Sequence, residues 1–237
     1  KEFYHFEVLI NPHDFAPGNP NKGVYLKTMY KTQYVANYTK RERDSKGFMY
    51  GDNTLGIVQT ILDALGPNLS APLVPRLVNA LLPLAFKPGP PLFGTMGETF
   101  TNTKFRGKAA SAAIGLNAAD ASRVLEEIIA INQQTPFPGA IAFRYVKGTP
   151  ALLGFTRFPL TCVLEMDGVD ASVSRSFIQK VWSRLEALNI PFTEHWGKFN
   201  FNLNPALIRK MYGNAAVDTW IKMRNQLLNT DARAVFS

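Results

Sequence analysis

The sequence predicts an α+β fold: an antiparallel sheet with flanking helices, organised as a ferredoxin-like β-α-β-β-α-β unit with an N-terminal helical and ribbon elaboration. Two observations carry this. Two amphipathic helical stretches, 117–134 and 174–189, enclose two strand-like runs, AIAFRYV and LTCVLEMDG. A short run, Ser111 to Gly115, precedes the first helix, and another, FTEHWGKFN, follows the second. Period-two alternation marks a strand and a period of 3.6 a helix. Their order is that of the split βαβ unit, in which two helices cover one face of the sheet.

Each element has a local cause. Residues 3–11, FYHFEVLIN, are aromatic and β-branched, as strands favour. HDFAPGNPNKG, from His13 to Gly23, is rich in turn formers, and VYLKTMYKTQYVANYT reads as a strand or long ribbon ahead of the charged turn KRERDSKG. Asp52 or Asn53 can cap a helix carrying Leu55, Val58, Ile61, Leu62 and Leu65, which Gly66-Pro67 should stop. A second helical stretch, LVPRLVNALLPLAF, is interrupted by Pro75 and Pro83. KPGPPLFGTMG, from Lys87 to Gly97, is a Pro/Gly connector. It divides the chain into 1–97, a strand, ribbon and Pro-rich helical part, and 98–237, the ferredoxin-like core with C-terminal helices.

Within the core, Asn117 is a good N-cap for a helix with Ala121, Val124, Leu125, Ile128 and Ile131 on one face. Thr135-Pro136 and Pro138-Gly139 end it. In AIAFRYV, Ala140, Ala142, Arg144 and Val146 share one face and Ile141, Phe143 and Tyr145 the other. Ser172 or Ser174 can cap the next helix, whose stripe is Phe177, Val181, Leu185 and Leu188. PALIRKMYG and AAVDTWIKMRNQLL close the chain as helices.

Composition narrows the function. With 46% hydrophobic residues over 237 positions, the chain can bury a sizeable core. The apolar run from Ala71 to Phe86 is too short and too interrupted to span a bilayer, which leaves contact with a membrane surface open. The net charge of +8 is dispersed; Lys40, Arg41 and Arg43 cluster only with Glu42 and Asp44 interleaved, and no nucleic-acid motif accompanies them, so nucleic acid is not the expected partner. The single cysteine excludes an intrachain disulfide and cannot build a zinc site. No G-x-S-x-G, phosphate loop, G-x-G-x-x-G or H-E-x-x-H occurs. Glu126-Glu127 and the pair Glu165 and Asp167 read as a solvated helix face and a strand end. No metal is expected.

FTEHWGKFN, from Phe192 to Asn200, concentrates the remaining chemistry. Read as a strand, it sends Glu194, Trp196 and Lys198 to one side and Thr193, His195 and Gly197 to the other. Gly197 admits an irregular turn, and Lys198 can offer a positive charge to an oxygen-rich ligand or a developing anion. A sheet-end Trp beside a snorkelling Lys is the plainer reading of the same residues.

His195-Trp196-Gly197-Lys198, after an amphipathic helix and a Pro-containing turn, resembles the C-terminal substrate domain of the vanillyl-alcohol-oxidase-type flavoproteins, within them the sugar-lactone, alditol and type II cholesterol oxidase branch. The similarity runs from about Phe100 to Ser237. Arg144 matches the Arg of a family Glu-x-Arg strand, and DARAVFS, with Asp231 and Phe236, is similar to the family's end. Ala142 stands where the family's acid would be and Ala232 where its Pro would be. The resemblance implies an FAD-dependent oxidase of an alcohol, lactone or sterol hydroxyl, with FAD bound mainly by an upstream domain that this chain does not contain. It implies Lys198 and Arg144 as the catalytic residues and Lys198 and Phe236 beside the flavin. Trp196 would be a pocket wall and His195 a supporting group. Cys162, which in LTCVLE reads as a small buried residue rather than a reactive thiol, stands with Ala142, Trp196 and His195 among the substrate-lining positions. The alternative is a stand-alone ferredoxin-like binding or assembly module without flavin.

Overall fold

The first strands form where aromatic and β-branched residues are densest. β1 (Glu2–Ile10) and β2 (Val24–Lys31) make a hairpin across the turn-rich segment. The computed structural model describes residues 2–38, 52–86, 93–95, 108–229 and 231–232. Helices α1 (Asp52–Ser70) and α2 (Val74–Ala85) follow. The core then runs β3 (Ala109–Asn117), α3 (Ala121–Gln134), β4 (Gly139–Lys147), β5 (Leu160–Val169), α4 (Ser172–Ala187) and β6 (Phe192–Glu194). α5 (Pro205–Tyr212) and α6 (Asn214–Leu227) complete the described elements.

The strands form one six-stranded sheet in the order β2-β1-β4-β5-β3-β6, antiparallel at every pairing. The run β4-β5-β3-β6 is the expected β-α-β-β-α-β unit. The hairpin joins it through β1, whose Val8, Leu9 and Ile10 pair with Phe143, Ala142 and Ile141. The sheet is therefore continuous across the compositional division at residue 97, a boundary that itself lies outside the described residues.

One face of the sheet carries the main core. Ile114, Leu116, Ile141, Phe143, Cys162, Leu164 and Met166 meet Val124 and Ile128 of α3 and Phe177, Val181 and Leu185 of α4. Phe137 stacks on Phe177 at 4.7 Å between ring centroids. Each such buried side chain is worth about 1.5–3 kcal/mol relative to leaving it exposed. Among the described residues, the opposite face is covered at its ends. Val58 and Leu62 of α1 and Val74 and Val78 of α2 pack with Val169 at one end, where Asn11 also donates to Asn79 Oδ1 at 2.8 Å. The β4–β5 loop, 148–159, lies over the other end.

Gly66 breaks the first helix as expected: at φ 68° and ψ 174° it takes a non-helical backbone that other residues resist, and a second short helical stretch follows to Ser70. Three local expectations change. Pro75 sits in the first turn of α2, where its missing N–H costs nothing, and Pro83 is carried inside the same helix rather than ending it. Neither Ser172 nor Ser174 caps α4: its N-cap is Ala171, without a side-chain bond, and the Ser174 hydroxyl donates to Val169 O at 2.6 Å. Asn117 does cap, but a three-residue 3-10 turn, Ala118–Asp120, which then leads into α3.

Candidate functional site

Antiparallel register sets the site out in rows on the less covered face. In the middle row Ala142 of β4, Glu165 of β5 and Ala113 of β3 stand side by side. Above it are Arg144, Val163 and Gly115, and below it Ala140, Asp167 and Ser111. Strand parity accounts for all of these: residues two apart share a face. Glu7, opposite Lys27 in the hairpin, brings a further carboxylate from β1.

Lys198 reaches this face by leaving the strand. FTEHWGKFN does not form one strand; β6 ends at Glu194. His195 N–H donates to Ala113 O at 3.0 Å and Phe199 N–H to Ser111 O at 2.9 Å, so four steps along this segment match two along β3. The extra residues form a turn closed by Lys198 N–H to His195 O at 3.2 Å and Gly197 N–H to His195 Nδ1 at 3.1 Å. Strict alternation is lost, and Trp196 and Lys198 part company. The Lys198 side chain crosses β3 to place Nζ 2.8 Å from Glu165 Oε1 and 3.6 Å from Asp167 Oδ1.

Arg144 arrives from the opposite side. Its Nη2 lies 2.8 Å from Glu165 Oε2 and 2.6 Å from Glu7 Oε1, and its Nε donates to the same Glu7 oxygen at 3.0 Å. Lys27 Nζ is 3.9 Å from Glu7 Oε2. Ser111 donates to Asp167 Oδ1. One carboxylate, Glu165, thus bridges the two cations that the sequence singled out. Its side chain is 7% exposed, whereas Arg144 keeps 34% and Lys198 21%, so the cations lie outward of it. Removing Arg144 would leave two buried carboxylates, Glu7 and Glu165, without their shared partner, at a cost of about 3–5 kcal/mol.

Electrostatics follow the geometry. Burial alone would lower the Arg144 guanidinium, but Glu165, Glu7 and Asp167 outweigh it and hold the pKa above its ordinary value. Crowding around Asp167, although nearly half its side-chain surface stays exposed, raises its carboxyl, and Glu165 adds to this; Lys198, Ser111 and Arg144 oppose. What this face can do is hold an oxygen-rich group: two cations with surface to spare, fixed from beneath, can meet an oxygen that gains negative charge.

The other candidates fall elsewhere. Cys162 is fully buried on the helix-packed face, the opposite side of the sheet from Lys198, so it does not line this site. Burial pushes its thiol up to about 12, against a Tyr145 hydrogen bond. Trp196 is at the sheet edge, its ring stacked on Tyr212 at 5.9 Å and its indole N–H donating to Leu153 O at 2.9 Å. It anchors the 148–159 loop and is not placed as a wall beside Arg144. His195 packs edge-on against Phe155 at 4.7 Å while its Nδ1 closes the turn, a supporting part. Ala142 is buried beside Glu165. Phe236 lies outside the described residues.

Sequence reasoning missed Glu7, Glu165 and Asp167. Glu165 and Asp167 are not a solvated strand end; they alternate with the buried Leu164 and Met166 and so face the side opposite the main core. That alternation was a usable signal. Glu7 offered none, because its place beside Arg144 depends on a pairing across more than a hundred residues. A separate cleft of about 400 Å³, between α1 and the start of α4, is lined by residues including Gln59, Lys108 and Arg175 and contains neither Arg144 nor Lys198. Among the described residues no group of His, Cys, Asp and Glu is disposed to hold a metal ion, and no helix is long and apolar enough to cross a membrane. No family model and no curated protein matches the chain.

Proposed function

We propose that this chain is the substrate-binding part of an FAD-dependent oxidoreductase that oxidises an alcohol, lactone or sterol hydroxyl. The observation that carries the reading is the meeting of Arg144 and Lys198, from distant parts of the sequence, on one sheet face through Glu165. Their remaining exposed surface suits a group bearing carbonyl oxygens and delocalised negative charge, which is the character of a flavin ring. FAD, when bound, supplies the hydride acceptor. The residues of this chain do the rest by position and charge. Lys198 and Arg144 would donate to the substrate oxygen and stabilise the negative charge that develops there as its proton passes to solvent water. The sheet-end helices α1 and α2 and the 148–159 loop limit the face from which substrate enters.

The test is to express the chain together with whatever its gene encodes before Lys1 and to record the flavin spectrum. A yellow protein whose absorption is bleached by an alcohol or lactone supports the reading. A folded, colourless protein sinks it and leaves the stand-alone binding or assembly module in its place.

A further inference from the structure

Glu165 is set in a slot. Its direct neighbour on β4 is Ala142 and on β3 is Ala113, exposed by only 2% and 1%. Directly opposed positions in an antiparallel pair have Cβ atoms roughly 4.5–5.5 Å apart. With a methyl group on each side, the Glu165 carboxylate can stand between the strands and present one oxygen to each. Oε1 takes Lys198 and Oε2 takes Arg144, both at 2.8 Å. The two cations have different needs for it. Arg144 has a second carboxylate, Glu7, at 2.6 Å. Lys198 comes from a turn outside the edge of the sheet, and its other carboxylate, Asp167, is at 3.6 Å. An ammonium on a four-carbon stem loses considerable rotamer freedom when drawn across a strand, so a short charge-assisted contact must hold it there.

We infer that Glu165 is a positioning residue for the reaction proposed above: it draws Lys198 across β3 and fixes it at a set spacing from Arg144. The inference rests on that reading of function. It says that the missing bulk at Ala142 and Ala113 is part of the device, because a larger side chain at either would fill the slot.

The test uses the chain with its upstream sequence, purified with flavin. Glu165→Gln keeps the shape and removes the charge; kcat for an oxidised alcohol should fall about 10–100-fold, the range of a lost charge-assisted hydrogen bond, with KM changed less than threefold. Glu165→Ala should lose more. Adding Ala142→Glu to Glu165→Ala returns a carboxylate to the same gap from the other strand, and it should recover at least a tenth of the wild-type kcat. A second readout needs no turnover: the ¹⁵N ammonium signal of Lys198, protected in the wild type, should vanish in Glu165→Gln. Flavin and turnover with unaltered kcat in Glu165→Gln overturn the assignment and leave the functional reading standing. Loss of kcat without rescue in the double variant, at an unchanged thermal midpoint, also overturns it. A wild type without flavin overturns both, and an Lys198 signal unchanged by Glu165→Gln overturns the positioning alone.

Discussion

Glu194 stands opposite Ile114 in the β3–β6 ladder, so its carboxylate is turned into the helix-packed side of the sheet, away from Lys198. Both oxygens are buried, and among the described residues neither has a hydrogen-bond partner. Burial, with the charge of Glu186 on α4 adding to it, raises the Glu194 pKa from 4.5 to about 7.

The sign of the pH effect follows. Below 4.5 the group is protonated whether the chain is folded or not. Between 4.5 and 7 the unfolded chain ionises first while the folded chain keeps the proton, so folding stability falls as pH rises, and it levels off above 7. The loss is on the order of 3 kcal/mol. Urea denaturation at pH 5 and pH 8 measures it. Glu194→Gln should remove that part of the pH dependence; a variant with the wild-type slope would show that Glu194 titrates normally.

Replacing the outward cations tests the proposed function apart from folding. On that proposal, Lys198→Met in the flavin-loaded protein should lower kcat/KM by about 10²–10³-fold, as expected for removing a preorganised donor to a developing anion. Arg144→Met should cost stability as well, about 3–5 kcal/mol, because Glu7 and Glu165 lose their shared partner in a buried setting. Steady-state kinetics beside thermal unfolding distinguish the two. Equal losses of stability would count against the different dependence on Glu165 described above.

The thiol of Cys162 should be silent in the native protein. It is fully buried, and burial sets its pKa to about 12, so almost no thiolate is available at neutral pH. Ellman's reagent should release no colour from the folded chain and one equivalent after denaturation. Rapid native reaction would mean that β5 opens.

Gly115 should not tolerate a side chain. A Cβ there would fall inside contact distance of Phe155 O and 3.0 Å from Thr193 Oγ1, a hydrogen-bonded pair that helps to hold the 148–159 loop against the sheet. Gly115→Ala is expected to cost about 1–3 kcal/mol, the usual penalty of overpacking. Limited proteolysis should find new cuts between Gly148 and Pro159. Unchanged stability and an uncut loop would show that the loop does not rest where described.

The helices and strands of the ferredoxin-like unit were legible because their causes are local. The spacing of Val124 and Ile128, or of Phe177, Val181 and Leu185, declares a buried stripe without knowledge of its partner, and the parity of Ala142 and Arg144 places them on one face. What depends on distant pairing was not legible. Nothing near Glu7 says that β1 will lie beside β4. The run after Phe192 reads as an unbroken strand because its residues suit one, yet two ladder bonds to β3 are spaced so that four residues fill the room of two. Trp196 and Lys198, adjacent in parity, consequently serve different sides. Arg144 and Lys198 could be singled out from sequence, but not the carboxylate that joins them, because the acidic pair on β5 looked like solvent-facing charge until the covered face was known.

The turn from His195 to Lys198 is held to β3 at its two ends and projects between them. What supports the sheet is therefore separate from what extends over it. The ladder bonds at either end, from His195 and Phe199, are made by backbone, whereas Trp196 and Lys198 between them are tied by their side chains, one to the 148–159 loop and the other to Glu165. A substitution inside the turn therefore leaves the strands paired and changes only what is held above them.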